Sequence, residues 1–183
     1  IVMSKAFDNG MICASEQAAI IDKEIYDETI QEFKKYGVYF VNKEEKAKLE
    51  KYMFGYQAQQ EGCENAKLNA DVVGRPATWI ASQAGFEVPA NTVILGVECP
   101  SVGVKEPLTR EKLSPVLAFL KAKNTDDGMQ KAEQMVEFNG LGHSAAIHTA
   151  SQQLADEFGE RVKAMRIIWN SPATFGGIGN IYN

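Results

Sequence analysis

Apolar positions along this chain fall into two alternating patterns, short unbroken runs and stretches with helical spacing. Ala18-Ala19-Ile20-Ile21, closed by Asp22, predicts a buried strand. Asp22 offers an N-cap for a helix running to about Tyr36, with Tyr26, Ile30 and Phe33 on one face and Gly37 as its stop. Val38 to Val41 predicts a second strand, and Lys43 to about Met53 a charged helix with a solvated outer face. Gly55 to Ala70 has weak periodicity and reads as a surface excursion, followed by a short strand at Asp71-Val72-Val73. Pro76 suits the first position of a helix over 77–84 that Gly85 ends. Thr92 to Val97 is β-branched and follows the turn residues Pro89-Ala90-Asn91, so it predicts a strand.

Pro100 to Pro115 combines prolines, Gly103 and mixed charge, which excludes regular structure. Loops of that length in compact domains are disproportionately functional. Val116 to Leu120 is the next apolar run. Asn124 caps a helix with Met129, Ala132, Met135 and Val136 on one face, and the methionines read as core. Gly140 and Gly142 end that helix and turn the chain into a strand from Ser144 to Thr149. Ser151 caps a last helix striped by Leu154, Phe158 and Val162, and Met165 to Trp169 is a further strand. Strands alternating with helices predict an α/β fold: a mostly parallel sheet with helices on both faces.

A chain of 183 residues buries roughly 70% of its unfolded surface, enough for one core, so residues 1–183 are expected to form one domain. Its net charge of -5 supplies neither a basic patch for nucleic acid nor a polybasic membrane anchor. No apolar run approaches the 18 or so residues of a spanning helix, and Ile1-Val2-Met3-Ser4-Lys5 lacks a signal-peptide layout. A start on Ile-Val and an end on Ile181-Tyr182-Asn183 suggest a piece of a longer polypeptide. The three cysteines, Cys13, Cys63 and Cys99, form no C-x-x-C pair and suit a reducing cytoplasm. His143 and His148, an odd number of residues apart in a strand, face opposite ways, and no protein-bound metal is expected.

Cys13 follows a glycine-containing turn and precedes Ala14-Ser15-Glu16, which could open a helical turn. A thiol so placed is partly exposed, as a nucleophile requires, although a lone cysteine can equally be a small buried hydrophobe. Cys63 reads as incidental and Cys99 as structural. Glu111, near the end of the long loop, is either solvated surface or a ligand-binding carboxylate. Gly140-Leu141-Gly142-His143-Ser144-Ala145 satisfies G-x-G-x-x-A, but a helix precedes it and a strand follows, the reverse of a dinucleotide fingerprint. The tail glycines Gly176, Gly177 and Gly179 lack strand-to-helix context.

The segment from Ser4 to Gln17, Ser-Lys-Ala-Phe-Asp-Asn-Gly-Met-Ile-Cys-Ala-Ser-Glu-Gln, closely resembles the nucleophile segment of CoA-acylating aldehyde dehydrogenases, in particular that of the bifunctional aldehyde-alcohol dehydrogenases. The likeness continues in Glu111-Lys112-Leu113-Ser114-Pro115, in Gly140 to Ser144, and in Asn170-Ser171-Pro172 to Gly179. It implies the catalytic domain of the aldehyde dehydrogenase fold, with most of the nicotinamide-binding half elsewhere in a parent chain. It implies Cys13 as nucleophile and a thioester intermediate, with acyl-CoA or aldehyde as substrate. Glu111 resembles the glutamate of the Glu-x-Phe-Gly-Pro motif, which accepts hydrogen bonds from the nicotinamide ribose. His143 matches a histidine bordering the active site, where it would bind substrate or cofactor or assist proton transfer. NAD as cofactor, coenzyme A as substrate, a cytoplasmic setting and a homo-oligomer follow from the same resemblance. Alternatives are a hydrolytic aldehyde dehydrogenase, a cysteine hydrolase pairing His143 with Cys13, and a catalytically incomplete assembly module.

Overall fold

The computed structural model describes residues 1–55 and 66–178, so Cys63, Gly179 and most of the excursion read at 55–70 lie outside the described residues. Helices and strands alternate through it: α1 (Val2–Ala6), β1 (Ala18–Asp22), α2 (Tyr26–Lys35), β2 (Val38–Phe40), α3 (Lys43–Phe54), α4 (Ala77–Ala84), β3 (Ile94–Glu98), β4 (Val116–Ala122), α5 (Thr125–Phe138), β5 (Ser144–Ile147), α6 (Gln152–Arg161), β6 (Arg166–Trp169) and α7 (Ala173–Ile178). All pairings are parallel. The strands make two sheets where the sequence suggests one, a four-stranded sheet ordered β1-β4-β3-β2 and a separate β5-β6 pair.

Residues on the two inner strands are buried on both faces, which is why those stretches read as continuous apolar runs. Leu95 and Val97 of β3 and Val116, Ala118 and Leu120 of β4 point to one side, where they meet Leu49 and Met53 of α3 and Ile80 of α4. Ile94, Leu117 and Phe119 point to the other, against Tyr26, Ile30 and Phe33 of α2. Phe119 packs edge-on to Phe33 at 4.9 Å between ring centres, a geometry that adds about 0.5–1.5 kcal/mol to area burial. Removing the Phe119 ring would therefore leave a cavity costing about 3–5 kcal/mol.

Local expectations fail where side chains find other uses. Asp22 does not cap α2. It ends β1 and its carboxylate accepts from the Glu24 N–H at 2.9 Å, so the helix starts later, after Ile25. Residues 71–73 form no strand. Asn69 accepts from the Asp71 N–H and closes a short 3-10 turn over Ala70–Val72. Pro76 sits one position earlier than expected, at the N-cap. The outer face of α3 is not simply solvated, since Glu50 is buried beside Lys46. Helix α6 is not the last helix either: α7 follows β6 and contains Gly176 and Gly177. Two glycines in a helix cost about 1 kcal/mol each in propensity, so the sequence reads as loop. Packing overrides this, because a Cβ on Gly177 would lie 2.6 Å from the Ala14 Cβ.

Candidate active site

The segment that carries Cys13 is folded by backbone that few residues tolerate. Asp8, Asn9 and Gly10 lie in succession at φ 49°, 50° and 68°. The Asn9 amide donates to the Gly74 carbonyl at 3.1 Å, and a Cβ on Gly10 would stand 2.6 Å from the Ser114 carbonyl oxygen. The next residues make turns and open no helix: Ser15 N–H donates to the Ile12 carbonyl at 2.9 Å, and its hydroxyl to the Gly10 carbonyl at 3.1 Å. Ala14 and Ser15 are buried while Cys13 between them and Ile12 is exposed. Gly10→Ala should cost roughly 2–4 kcal/mol, from left-handed strain plus a clash with fixed backbone. A lowered urea midpoint at unchanged m-value checks it; an unchanged midpoint would show the turn to be adaptable.

Glu111 is held near this turn by Lys112, whose side chain is fully buried. Its ammonium donates to the carbonyls of Gln17 at 3.0 Å, Leu108 at 2.7 Å and Arg110 at 2.8 Å. Its backbone N–H reaches the Gln17 amide oxygen at 3.1 Å. Burial pushes the Lys112 amine down to about 7, with partial compensation from Cys99 and Glu111. The second half of the long loop, from the 3-10 turn at Pro107–Thr109 onward, is thus mostly buried, while its first half stays at the surface, and it fastens the Cys13 segment to the Glu111 corner. Lys5 is buried too, its amine lowered well below the usual lysine range by burial and by Lys112. Neither it nor the Glu16 Oε2 has a hydrogen-bond partner among the described residues. At the rear, Glu16 Oε1 accepts from the Ala173 N–H at 3.1 Å and the Ser4 hydroxyl donates to Thr174 at 3.0 Å, tying α7 to the same loop.

His143 precedes β5, and its carbonyl accepts from the N–H groups of Met165 and Arg166. Cys13, Glu111 and His143 all border one cavity of about 510 Å³. Sheet logic alone does not bring them together, because Glu111 and His143 sit at strand beginnings. Cys99 is apart from this group: it is buried behind β3, and burial pushes its thiol up to about 12. Gly140 and Gly142, both at φ 93°, join α5 to β5, the order in which no dinucleotide cradle forms. No cluster of metal-ligating side chains is found among the described residues. Gly10 had a sequence signal in its Asn-Gly turn pair; the buried Lys112 had none, since a lysine in a charged loop reads as surface.

Comparison with known proteins adds relatives to this geometry. A Streptococcus pneumoniae serotype 4 protein named aldehyde-alcohol dehydrogenase is 68% identical over 183 residues, which is 100% of this chain and 21% of that protein. Aldehyde-alcohol dehydrogenase 2 of Entamoeba histolytica is 58% identical over 183 residues, again 100% of this chain and 21% of the relative. Among solved structures, an acetylating aldehyde dehydrogenase from Geobacillus thermoglucosidasius superimposes on 97% of this chain with a TM-score of 0.89 and 38% identity, covering 37% of its own chain. The chain spans about a fifth of the length of the curated relatives it matches. No protein-family model matches it.

Proposed function

We propose that this chain, which belongs with the aldehyde-alcohol dehydrogenases by sequence and shares its fold with an acetylating aldehyde dehydrogenase, is the nucleophile-bearing part of a CoA-acylating, NAD-dependent enzyme. The observation that carries this reading is the convergence of exposed Cys13 with Glu111 and His143 on one cavity. Its partner is the nicotinamide-binding half of a longer chain, and its setting a homo-oligomer in a reducing cytoplasm. Among the described residues, no helix is long and apolar enough to cross a membrane.

In the reducing direction the Cys13 thiolate attacks the thioester carbonyl of an acyl-CoA. A carbon–sulfur bond forms to Cys13, the one to coenzyme A breaks, and the departing thiolate takes a proton. The Cys13 N–H has no hydrogen-bond partner among the described residues and is free to donate to the tetrahedral oxyanion. Nicotinamide, when bound, would supply the hydride that takes the acyl group to the thiohemiacetal level, and Glu111 is the residue that would hold its ribose. Cys13 then leaves as thiolate and aldehyde is released. Glu111 suits the nicotinamide ribose because its carboxylate is exposed on the cavity, while Lys112 beneath it fixes the backbone. His143, which lines the same cavity, donates to substrate or shuttles a proton. A cysteine hydrolase is disfavoured, since His143 makes no hydrogen bond to Cys13 that would activate it.

Alkylation by iodoacetamide near neutral pH tests the assignment. Cys13 should label far faster than Cys99, and acyl-CoA should protect it in the full-length enzyme. Preferential labelling of Cys99, or no protection, would remove the basis for the nucleophile. Glu111→Gln in the full-length enzyme should leave acyl transfer to Cys13 unchanged and slow NADH-dependent reduction about 10- to 100-fold, because a neutral amide accepts more weakly from two hydroxyls. Rapid-quench measurement of the two half-reactions checks this; equal loss of both would mark Glu111 as structural.

A further inference from the structure

One ammonium serves two carboxylates at the opposite end of the sheet from Cys13. Cys13 and Glu111 come before β1 and β4, whereas Glu98 and Cys99 stand where β3 ends. Lys46 of α3 reaches across that end. Its Nζ donates to Glu106 Oε2 at 2.6 Å and to the Glu98 carbonyl at 3.0 Å, and it stands 3.9 Å from Glu50 Oε1 one turn along the helix. Glu106 belongs to the long loop, at the entrance of the 3-10 turn over Pro107–Thr109.

The two carboxylates are not equivalent. Glu106 has a close charge-assisted hydrogen bond, whereas Glu50 is 4% exposed and its side chain makes no hydrogen bond among the described residues. Lys46 attracts it without supplying the hydrogen bonds that a buried anion requires. With both carboxylates ionised, the cluster holds one negative charge in excess. Among the described residues no second cation offsets it. Helix α4, packed on α3, carries no titratable side chain. The Glu98 carboxylate accepts from the Tyr26 hydroxyl at 3.0 Å, and that of Glu45 from the Tyr39 hydroxyl at 3.0 Å. The Lys112 ammonium is taken by three carbonyls, and the buried Cys99 thiol stays protonated. Burial, opposed by Lys46 and reinforced by Glu106, accordingly pushes the Glu50 carboxyl up to about 7. Burial also works against the charge on Lys46, but its hydrogen bond to Glu106 outweighs this and keeps the amine above its usual range.

We propose that Glu50 is a proton-operated latch on the long loop: protonated, it leaves Lys46 wholly to Glu106, and ionised, it competes for that ammonium, repels Glu106 and loosens the loop. The loop is built to feel this. The Glu106 carbonyl accepts from the Thr109 N–H at 2.9 Å and from the Thr109 hydroxyl at 2.7 Å, and that hydroxyl accepts from the Gly103 N–H at 3.2 Å. Two residues beyond Glu106, the Leu108 carbonyl holds Lys112, the neighbour of Glu111. The sign follows from linkage. A folded carboxyl raised from 4.5 to about 7 keeps a proton that the unfolded chain has lost, so stability falls as pH rises through that window and levels off above it. The inference is independent of the reaction assigned to Cys13.

Amide exchange of the full-length enzyme, followed by mass spectrometry over peptides spanning 99–109 and corrected for the intrinsic effect of pH, tests it. Between about pH 5.5 and about pH 8.5, protection of these peptides should fall about tenfold while that of the β4 peptides holds. In Glu50→Gln, which keeps a neutral side chain throughout, protection should stay near the acid-side level. At about pH 8.5 the variant should thus be the better protected of the two, whereas an ordinary stabilising ion pair between Lys46 and Glu50 gives the reverse order. Wild-type protection over 99–109 that does not change with pH would overturn the proposal, even if the variant fails to fold. So would a variant less protected than wild type at about pH 8.5, or an equal fall across the β4 peptides.

Discussion

Alanine at position 13 should lower acyl transfer in the full-length enzyme by about ten-thousandfold or more, the scale on which removal of a covalent nucleophile is felt. Its effect on stability should stay within roughly 0.5 kcal/mol, because the Cys13 side chain is exposed and buried neighbours hold the turn. The separation matters. Gly10→Ala, three residues away, should unfold the support and lose activity with stability, whereas Cys13→Ala should lose activity alone. Release of coenzyme A from acyl-CoA, measured beside a thermal melt, distinguishes them. Residual single-turnover release at more than a few per cent of wild type would transfer the nucleophile role to another group.

The strand–helix alternation was legible because the inner strands are buried on both faces and the helices carry one apolar stripe each. Tyr26, Ile30 and Phe33 are buried on α2 as their spacing predicts, and Asn124 and Ser151 cap α5 and α6 through their side chains. What the sequence concealed depends on contacts between distant segments. Gly177 in α7 is explained by Ala14, and the three carbonyls around the Lys112 ammonium lie on two separate stretches of chain. The separation of the sheets was equally hidden, since periodicity identifies strands without saying which ones pair. Family resemblance pointed to Cys13, Glu111 and His143; the fold adds that they share a cavity, and their roles await the measurements above.

Taken alone, the 183 residues should fold and fail to turn over. Two apolar layers flank the four-stranded sheet and include fully buried Leu49, Ile80, Leu95, Leu117 and Leu120, so its core should unfold cooperatively. The site is less complete than the core. The described residues offer the Cys13 N–H toward an oxyanion, and on the proposed reading a further oxyanion donor and most of the nicotinamide site would come from the other half. Loss of one oxyanion donor costs about a hundred- to a thousandfold in rate, and loss of cofactor positioning costs considerably more. The isolated chain should therefore show a single main melting transition, little NADH binding, and no measurable CoA-dependent aldehyde oxidation. Turnover by the purified chain at the full-length rate, abolished by Cys13→Ala, would show that a whole site resides here and that the division of labour between two halves is wrong.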